Sequence, residues 1–258
     1  MRQSSAPAFY PKRSRGAAVT TLSYDYAPDE DVPEHFHDED QLVYAVRGVM
    51  TLRVARGIWV VPPLRAVWVP SRTPHAIRMS GKVSMKALYL TPRLAKLPRT
   101  GCVLHVSPLL RELIVRICEE GALRRRVPRQ ARLLGVLLDQ LDVATSAPLQ
   151  LPMPRDPRAL RVASALVADP SEERPLASLC REAGGSKRTV ERAFVEETRM
   201  TFGAWRRQLS LLFAIDRLAR GDKVTAAALG AGYSSPSAFI AMFRRAMGTT
   251  PGEYFAAH

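Results

Sequence analysis

Nine residues, Ser186 to Phe194 (Ser-Lys-Arg-Thr-Val-Glu-Arg-Ala-Phe), carry side chains suited to reading the edges of bases. An arginine can donate two hydrogen bonds to guanine O6 and N7, and a glutamate can accept one from cytosine N4. Lys187, Arg188, Glu191 and Arg192 place both kinds of group on one stretch, which reads as a short exposed helix that enters DNA. The pattern recurs 49 residues on as Ser235 to Phe243 (Ser-Pro-Ser-Ala-Phe-Ile-Ala-Met-Phe), and the two copies keep step afterwards. Phe194, Gly203 and Trp205 correspond to Phe243, Gly252 and Tyr254 at the same separations. Common internal spacing marks a duplicated supersecondary unit rather than two chance helices.

Such side chains reach a groove only if a second helix and a tight turn hold them there. In the second copy, Ala226, Ala227, Ala228 and Leu229 form a small-residue helix ending at Gly230 to Gly232, where glycine accepts the left-handed turn. Ser235 caps the next helix, and Pro236 sits at its first position, where the missing N–H costs nothing. In the first copy, Leu176 to Ala183 is the supporting helix, Gly184 and Gly185 make the turn, and Ser186 is the cap. Two short helices around a glycine turn give the helix-turn-helix geometry of DNA readers.

Ser186 through Phe194, together with Gly232-Tyr233-Ser234-Ser235-Pro236-Ser237-Ala238-Phe239, Phe243-Arg244-Arg245 and Thr250-Pro251, resembles the paired motifs of AraC/XylS-type transcription regulators. The second group is specific to that family, and the resemblance spans about the last hundred residues. It implies that Arg188, Glu191 and Arg192 of the first helix and Ser237, Ile240 and Ala241 of the second face DNA, with Ser186, Lys187 and Ser235 at the helix entries. Arg206, Arg207, Arg244 and Arg245, at or beyond the helix ends, are expected at phosphates. Isoleucine and alanine offer only apolar contact, most usefully to a thymine methyl, so the first helix is expected to supply most of the base specificity. Glu191 also stands four residues after Lys187, a spacing that would equally serve a surface ion pair.

At 258 residues the chain can bury two cores. Its formal charge of +14 favours a polyanionic partner. From Arg155 onward, 16 Lys and Arg stand against 11 Asp and Glu, so +5 of that excess lies there and +9 before it. The cluster Arg124-Arg125-Arg126 with Arg129 and Arg132 reads as a solvated helix face rather than a phosphate contact. Cys102, Cys118 and Cys180 form neither a disulfide framework nor paired metal spacing, which fits a reducing cytoplasm. The N-terminus has no apolar leader core, and no run of about 18 apolar residues occurs, so neither secretion nor membrane insertion is expected.

Residues 1 to about 20, with Lys12, Arg13 and Arg15, read as a flexible arm. Short β-rich runs follow at 41–47, 50–55, 57–61, 66–69, 75–79 and 85–90, punctuated by Gly and Pro, and predict a small β-barrel or jelly roll. Within them, His35-x-His37-x-x-x-Gln41 and Gly48, then Pro70-x-Arg72-x-x-His75, resemble the two cupin motifs. In that family two histidines and a glutamate of the first motif and a histidine of the second hold a divalent metal. The resemblance puts His35, His37 and His75 as metal ligands, with Gln41 as a weak fourth group where the family has glutamate, and Arg72 where it has glycine. Loss of the carboxylate weakens a site for a hard cation, while three imidazoles still suit zinc, copper or nickel. A pocket without metal, empty or holding an organic effector, is favoured over a metal-loaded one. Tyr44, Trp59, Trp68 and Met79 are candidate lining residues, each equally readable as plain core.

After Pro98 the period becomes helical. Leu110, Leu113, Ile114 and Ile117 form one apolar stripe, and Leu133, Leu134, Leu137, Leu138 and Leu141 another, expected as a dimer seam. Four prolines within 145–157 mark a semi-extended linker, and Asp156 caps a helix that opens with Pro157. The expected fold is α+β with two domains, an N-terminal cupin-like β-barrel with following helices and a C-terminal all-α domain with two helix-turn-helix units. The divisions are 1–98 cupin-like sensor, 99–145 amphipathic helices for dimerisation, 146–157 linker and 158–258 DNA-binding domain.

These features predict a cytoplasmic, sequence-specific DNA-binding transcription regulator and not an enzyme. Its expected partners are double-stranded DNA, a second copy of itself, a small-molecule effector and, if it activates, RNA polymerase. The alternatives are a cupin metalloenzyme with an accessory DNA-binding domain and an architectural DNA-bending protein. Gln41, and the lack of an acid/base pair beside the histidines, weigh against the enzyme, while the full-length barrel weighs against the bending protein.

Overall fold

The computed structural model describes residues 16–55, 57–146 and 149–256, so the expected arm with Lys12, Arg13 and Arg15 lies outside the described residues. The fold is α+β, an antiparallel sheet followed by helices and then an all-helical part. It divides into two compact units, Met1–Ala55 with Trp59–Pro148, and Arg56–Ile58 with Leu149–His258.

The first unit contains β1 (Val19–Tyr26), β2 (Asp31–His35), β3 (Asp40–Val54), residues 59–61 of β4 (Gly57–Val61), β5 (Arg65–Val69), β6 (His75–Leu90), β7 (Cys102–His105), α1 (Pro108–Glu120), β8 (Ala122–Leu123) and α2 (Pro128–Asp142). Four of the predicted runs merge into two long strands. β3 and β6 pair antiparallel from Asp40↔Leu90 to Val54↔His75, with irregular register between Ala45 and Val49. Gly48 sits in that irregularity at φ 81°, and a Cβ there would come within 2.4 Å of the Lys82 carbonyl oxygen. Only glycine tolerates both conditions, so the strand runs on through the irregularity where the sequence reads as a break. To one side of it β3 also pairs with β5, and β6 with β1; to the other side β6 pairs with β2.

Side chains alternate along these strands, so neighbouring residues serve opposite faces. Leu42, Tyr44, Ala66, Trp68, Leu88 and Leu90 form one core with Leu110, Ile114 and Ile117 of α1 and Leu134, Leu137 and Leu141 of α2. Full burial of each such leucine or isoleucine contributes about 1.5–3 kcal/mol. Leu133 and Leu138 pack partly against the same core. The leucine stripe expected at a dimer seam is therefore engaged inside its own unit. Ser107 caps α1 by accepting from Leu110 N at 3.1 Å, and Gly121 ends that helix at φ 73°.

The second unit contains β9 (Gln150–Pro152), α3 (Pro157–Ala168), α4 (Leu176–Glu182), α5 (Lys187–Thr198), α6 (Phe202–Ala219), α7 (Val224–Gly230), α8 (Pro236–Met247) and α9 (Pro251–Ala256). The segment predicted as linker is extended, yet its described part is packed. Leu149 and Leu151 are each 1% exposed, and the Trp205 indole N–H donates to the Pro152 carbonyl at 2.8 Å. Ala147 and Pro148, also within the predicted linker, lie outside the described residues. Asp156 caps α3 as expected, accepting from the backbone N–H groups of Arg158 and Ala159. The Arg158 guanidinium holds the Asp156 carboxyl well below the usual carboxylate range, helped by those two N–H groups and opposed by partial desolvation. The duplication is carried into the core: the Phe194 and Trp205 rings lie 5.1 Å apart, and their counterparts Phe243 and Tyr254 lie 5.9 Å apart.

Candidate DNA-reading helices and barrel histidines

In the first helix-turn-helix, Gly184 turns the chain at φ 72° and the Gly185 N–H closes on the Cys180 carbonyl at 2.8 Å. The Ser186 hydroxyl accepts from Thr189 N at 3.2 Å and so caps α5. Val190, Ala193 and Phe194 are buried, which leaves Lys187, Arg188 and Arg192 exposed and Glu191 half-buried on the outer side. Lys187 and Glu191 approach to 3.8 Å, as do Arg192 and Glu196. Exposed pairs of this kind are worth about 0–1 kcal/mol and yield readily to a better partner.

The second unit of the repeat departs from the first by one residue. Gly232 turns at φ 79° and the Tyr233 N–H closes on the Ala228 carbonyl at 3.0 Å, positions 48 after Gly184 and Gly185, whereas α8 follows α5 by 49. Ser234 is the added residue. Ser235 occupies the cap position, but its side chain makes no capping bond, a correction to the expected role; Pro236 at the helix start already removes one N–H that would need it. Phe239 and Phe243 are fully buried, Ser237 and Ala241 are exposed, and Ile240 is half-buried. Before Arg244, α8 offers no charged side chain at all.

Of the four arginines expected at phosphates, Arg207, Arg244 and Arg245 are exposed. Arg206 is not available in the same way. Its Nη2 donates to the carbonyls of Pro170 and Glu172 at 2.7 and 2.8 Å, and burial lowers its pKa. The carbonyls lie in the α3–α4 connection, far along the chain, so nothing local in the sequence announces them. Arg161 likewise donates to the Ala183 carbonyl at the end of α4, holding the first turn from behind.

Within the first unit, His35, His37 and His75 converge as expected, each with a ring nitrogen within 4.8 Å of the others. His35 ends β2, His75 opens β6, and the two are paired across the sheet. Nδ1 of His35 lies 2.8 Å from the Pro33 carbonyl, that of His37 2.9 Å from Glu39, and that of His75 2.8 Å from Thr73. A carbonyl only accepts, so each Nδ1 carries the proton and each Nε2 presents a lone pair in the neutral ring. His75 is wholly buried, and its Nε2 has no hydrogen-bond partner among the described residues. Burial, opposed by the Thr73 bond and reinforced by His35 and His37, brings His75 down to about 4; burial also lowers His35. Three imidazoles oriented by backbone carbonyls are the arrangement in which metal-binding histidines are held, and the neutral set fits zinc, copper or nickel better than magnesium or calcium.

Gln41 is 1% exposed, and its amide lies 3.0 Å from His37 Nε2 and hydrogen-bonds Tyr89. Tyr89 pairs with Gln41 across the strands and stands edge-on to the His37 ring, 5.2 Å between centroids. Sequence reasoning missed Tyr89, because only the β3–β6 register brings it there. Arg72 takes the turn at φ 59° in the place where the motif has glycine, and its N–H donates to the His37 carbonyl at 2.7 Å.

The four expected lining residues separate. Tyr44 and Trp68 face α1 and α2, the opposite side of the sheet from Gln41, and are core rather than lining. The odd separation of 41 and 44 already implied that for Tyr44. Trp59 is buried over Gly101, where a Cβ would come within 2.3 Å of its ring. Met79, four residues after His75 on β6, shares the histidine face and is fully buried.

Residues 18–197 match the AraC-like ligand binding domain, and residues 179–257 match a helix-turn-helix domain. The HTH-type transcriptional regulator NimR of Escherichia coli (strain K12) is 34% identical over 248 residues, which is 96% of this chain and 91% of NimR. The chain belongs to the AraC-type transcriptional regulators. The HTH-type transcriptional regulator RipA of Corynebacterium diphtheriae is 33% identical over 102 residues, 40% of this chain and 30% of RipA. Among solved structures, ToxT from Vibrio cholerae is similar at a TM-score of 0.39 and 11% identity, covering 95% of this chain and 99% of that one. The curated relatives are named as regulators and lend no support to a cupin metalloenzyme. Among the described residues no helix is long and apolar enough to cross a membrane.

Proposed function

We propose that this AraC-type regulator reads double-stranded DNA in the cytoplasm with α5 and α8 in successive major-groove segments, about 34 Å or one helical turn apart. The observation that carries the reading is the duplicated unit itself, two helix-turn-helix elements joined by the single helix α6. In it Arg188, Glu191 and Arg192 meet base edges, Ser237, Ile240 and Ala241 make weaker and mostly apolar contacts, Ser186, Lys187 and Ser235 lie at the helix entries, and Arg207, Arg244 and Arg245 approach phosphates. Arg206 acts inside the unit instead. Hydroxyl-radical footprinting of one protomer on a selected site tests this: protection in two segments one turn apart supports it, and protection in a single segment counts against it.

The first unit is the sensor and dimerisation part in this proposal. With the leucine stripe of α2 turned inward, a homodimer seam on that helix would use Arg132, Val136, Asp139 and Val143, which share its outer side and are exposed. Sedimentation of the full chain tests it. RNA polymerase is a further partner if the protein activates.

For the barrel, one observation favours a metal over an organic effector, the convergence of one ring nitrogen from each of three histidines together with the buried, unpartnered Nε2 of His75. His35, His37 and His75 would hold the ion, and its chemistry there is to bind, so that occupancy signals metal supply. Elemental analysis of protein purified without chelator tests this; an organic effector would instead raise the thermal midpoint of metal-stripped protein by mass action.

A further inference from the structure

The barrel departs from the cupin-like ligand set at Gln41, and the geometry gives that departure a direction. Its amide does not stand apart as a fourth donor but is placed against one of the three, His37 Nε2, at 3.0 Å. With His37 Nδ1 donating to Glu39, Nε2 of the neutral ring can only accept. The amide oxygen is the atom placed at 3.0 Å, so an accepting Nε2 requires the amide turned over, with NH₂ toward His37 and oxygen toward the Tyr89 hydroxyl, an orientation assigned from the hydrogen-bond network. His75 Nε2, equally enclosed, has no such partner among the described residues.

We propose that Gln41 is a latch on His37 rather than a metal ligand: its amide occupies the His37 lone pair, and a borderline divalent ion gains His35, His37 and His75 by displacing it. The inference rests on the metal reading of the triad. A ligand at position 41 would add to affinity, whereas a latch subtracts from it, because the bond it makes must be given up on loading. The neutral donor set leaves the ion's charge uncompensated at close range. Residues 25–40, which contain both His35 and His37, hold eight Asp and Glu and no Lys or Arg, and so supply a negative field around the site.

The test is cobalt(II) titration of the full chain, followed by d–d absorption and competed with zinc, on the wild type, Gln41→Ala, Gln41→Leu, Gln41→Glu and His75→Ala. Circular dichroism melts establish that each is folded, and Gln41→Leu preserves most of the buried volume. The latch predicts that Gln41→Ala and Gln41→Leu bind about 2- to 10-fold more tightly, the range set by one net hydrogen bond. Gln41→Glu, which adds an anionic donor, should bind tighter still, and His75→Ala should lose the site. Affinity unchanged or weakened in both folded Gln41 variants overturns the latch and leaves the metal site standing. Absence of cobalt binding in the wild type and in both variants overturns the site itself.

Discussion

The Arg206 guanidinium donates to the Pro170 carbonyl at 2.7 Å and so ties α6 to the connection between α3 and α4. The same atom reaches the Glu172 carbonyl, and the arginine is half-buried between them. Two charge-assisted bonds to main-chain oxygens make this residue a brace for the helical unit. Arg206→Ala should destabilise that unit by about 2 kcal/mol, the usual loss for a hydrogen bond to a charged group. Denaturant unfolding measures it, and the salt dependence of DNA binding should be unchanged at temperatures where the variant is folded.

The exposed arginines should behave in the opposite way. Arg207→Ala, Arg244→Ala and Arg245→Ala are expected to leave stability within about 0.5 kcal/mol of wild type. Each should weaken all DNA sequences alike and reduce the slope of log K against log salt by about 1. Titrations at several salt concentrations on specific and random duplexes check this.

Arg72 carries a non-glycine side chain at φ 59°, a conformation costing an ordinary residue about 1–2 kcal/mol. Its ion pair with Asp38 at 3.0 Å is exposed on both sides and returns little. Glycine would remove the strain but loosen the unfolded chain by a comparable amount. Arg72→Gly should therefore fall within about 1 kcal/mol of wild type, while Arg72→Val, β-branched at positive φ, should lose about 1–2 kcal/mol or more. Chemical denaturation of both variants tests the ordering.

Glu253 is the acid of a capping box: it accepts from the Thr250 N–H at 3.0 Å and from the Thr249 and Thr250 hydroxyls. Those bonds, the Thr249 hydroxyl first, bring its carboxyl down to about 2 from 4.5. A lowered carboxylate pKa means that the unfolded chain binds the proton more readily. The contribution is thus present above about pH 4.5 and lost as pH falls toward 2. Wild type and Glu253→Ala should differ in thermal midpoint at pH 6 and converge near pH 2; a difference that persists at pH 2 would contradict the assignment.

Local chemistry was legible in the sequence. The glycine turns at Gly184 and Gly232, the caps at Ser186 and Asp156 and the Thr250–Glu253 box each depend on residues within about one helical turn, and each appears where the letters place it. The resemblance of the stretches holding His35, His37 and His75 to the cupin motifs likewise anticipated their convergence. What failed depends on contacts far along the chain. Trp68 faces the helices because it pairs with Leu42, and Arg206 turns inward because Pro170 lies beside it. The leucines of α2 fit a seam or a core equally well until the sheet face that covers them is known.

The central claim is that the two recognition helices read unequally, with α5 supplying the hydrogen-bonded specificity. The most direct measurement is binding-site selection from a random DNA library with the wild type, Arg192→Ala and Ala241→Gly. Arg192→Ala should relax preference at one or two G·C positions and cost about 1–3 kcal/mol at the operator, while Ala241→Gly changes the selected motif far less. If Arg192→Ala weakens all sequences equally, or if the positions under α8 prove the more stringent, the account is contradicted.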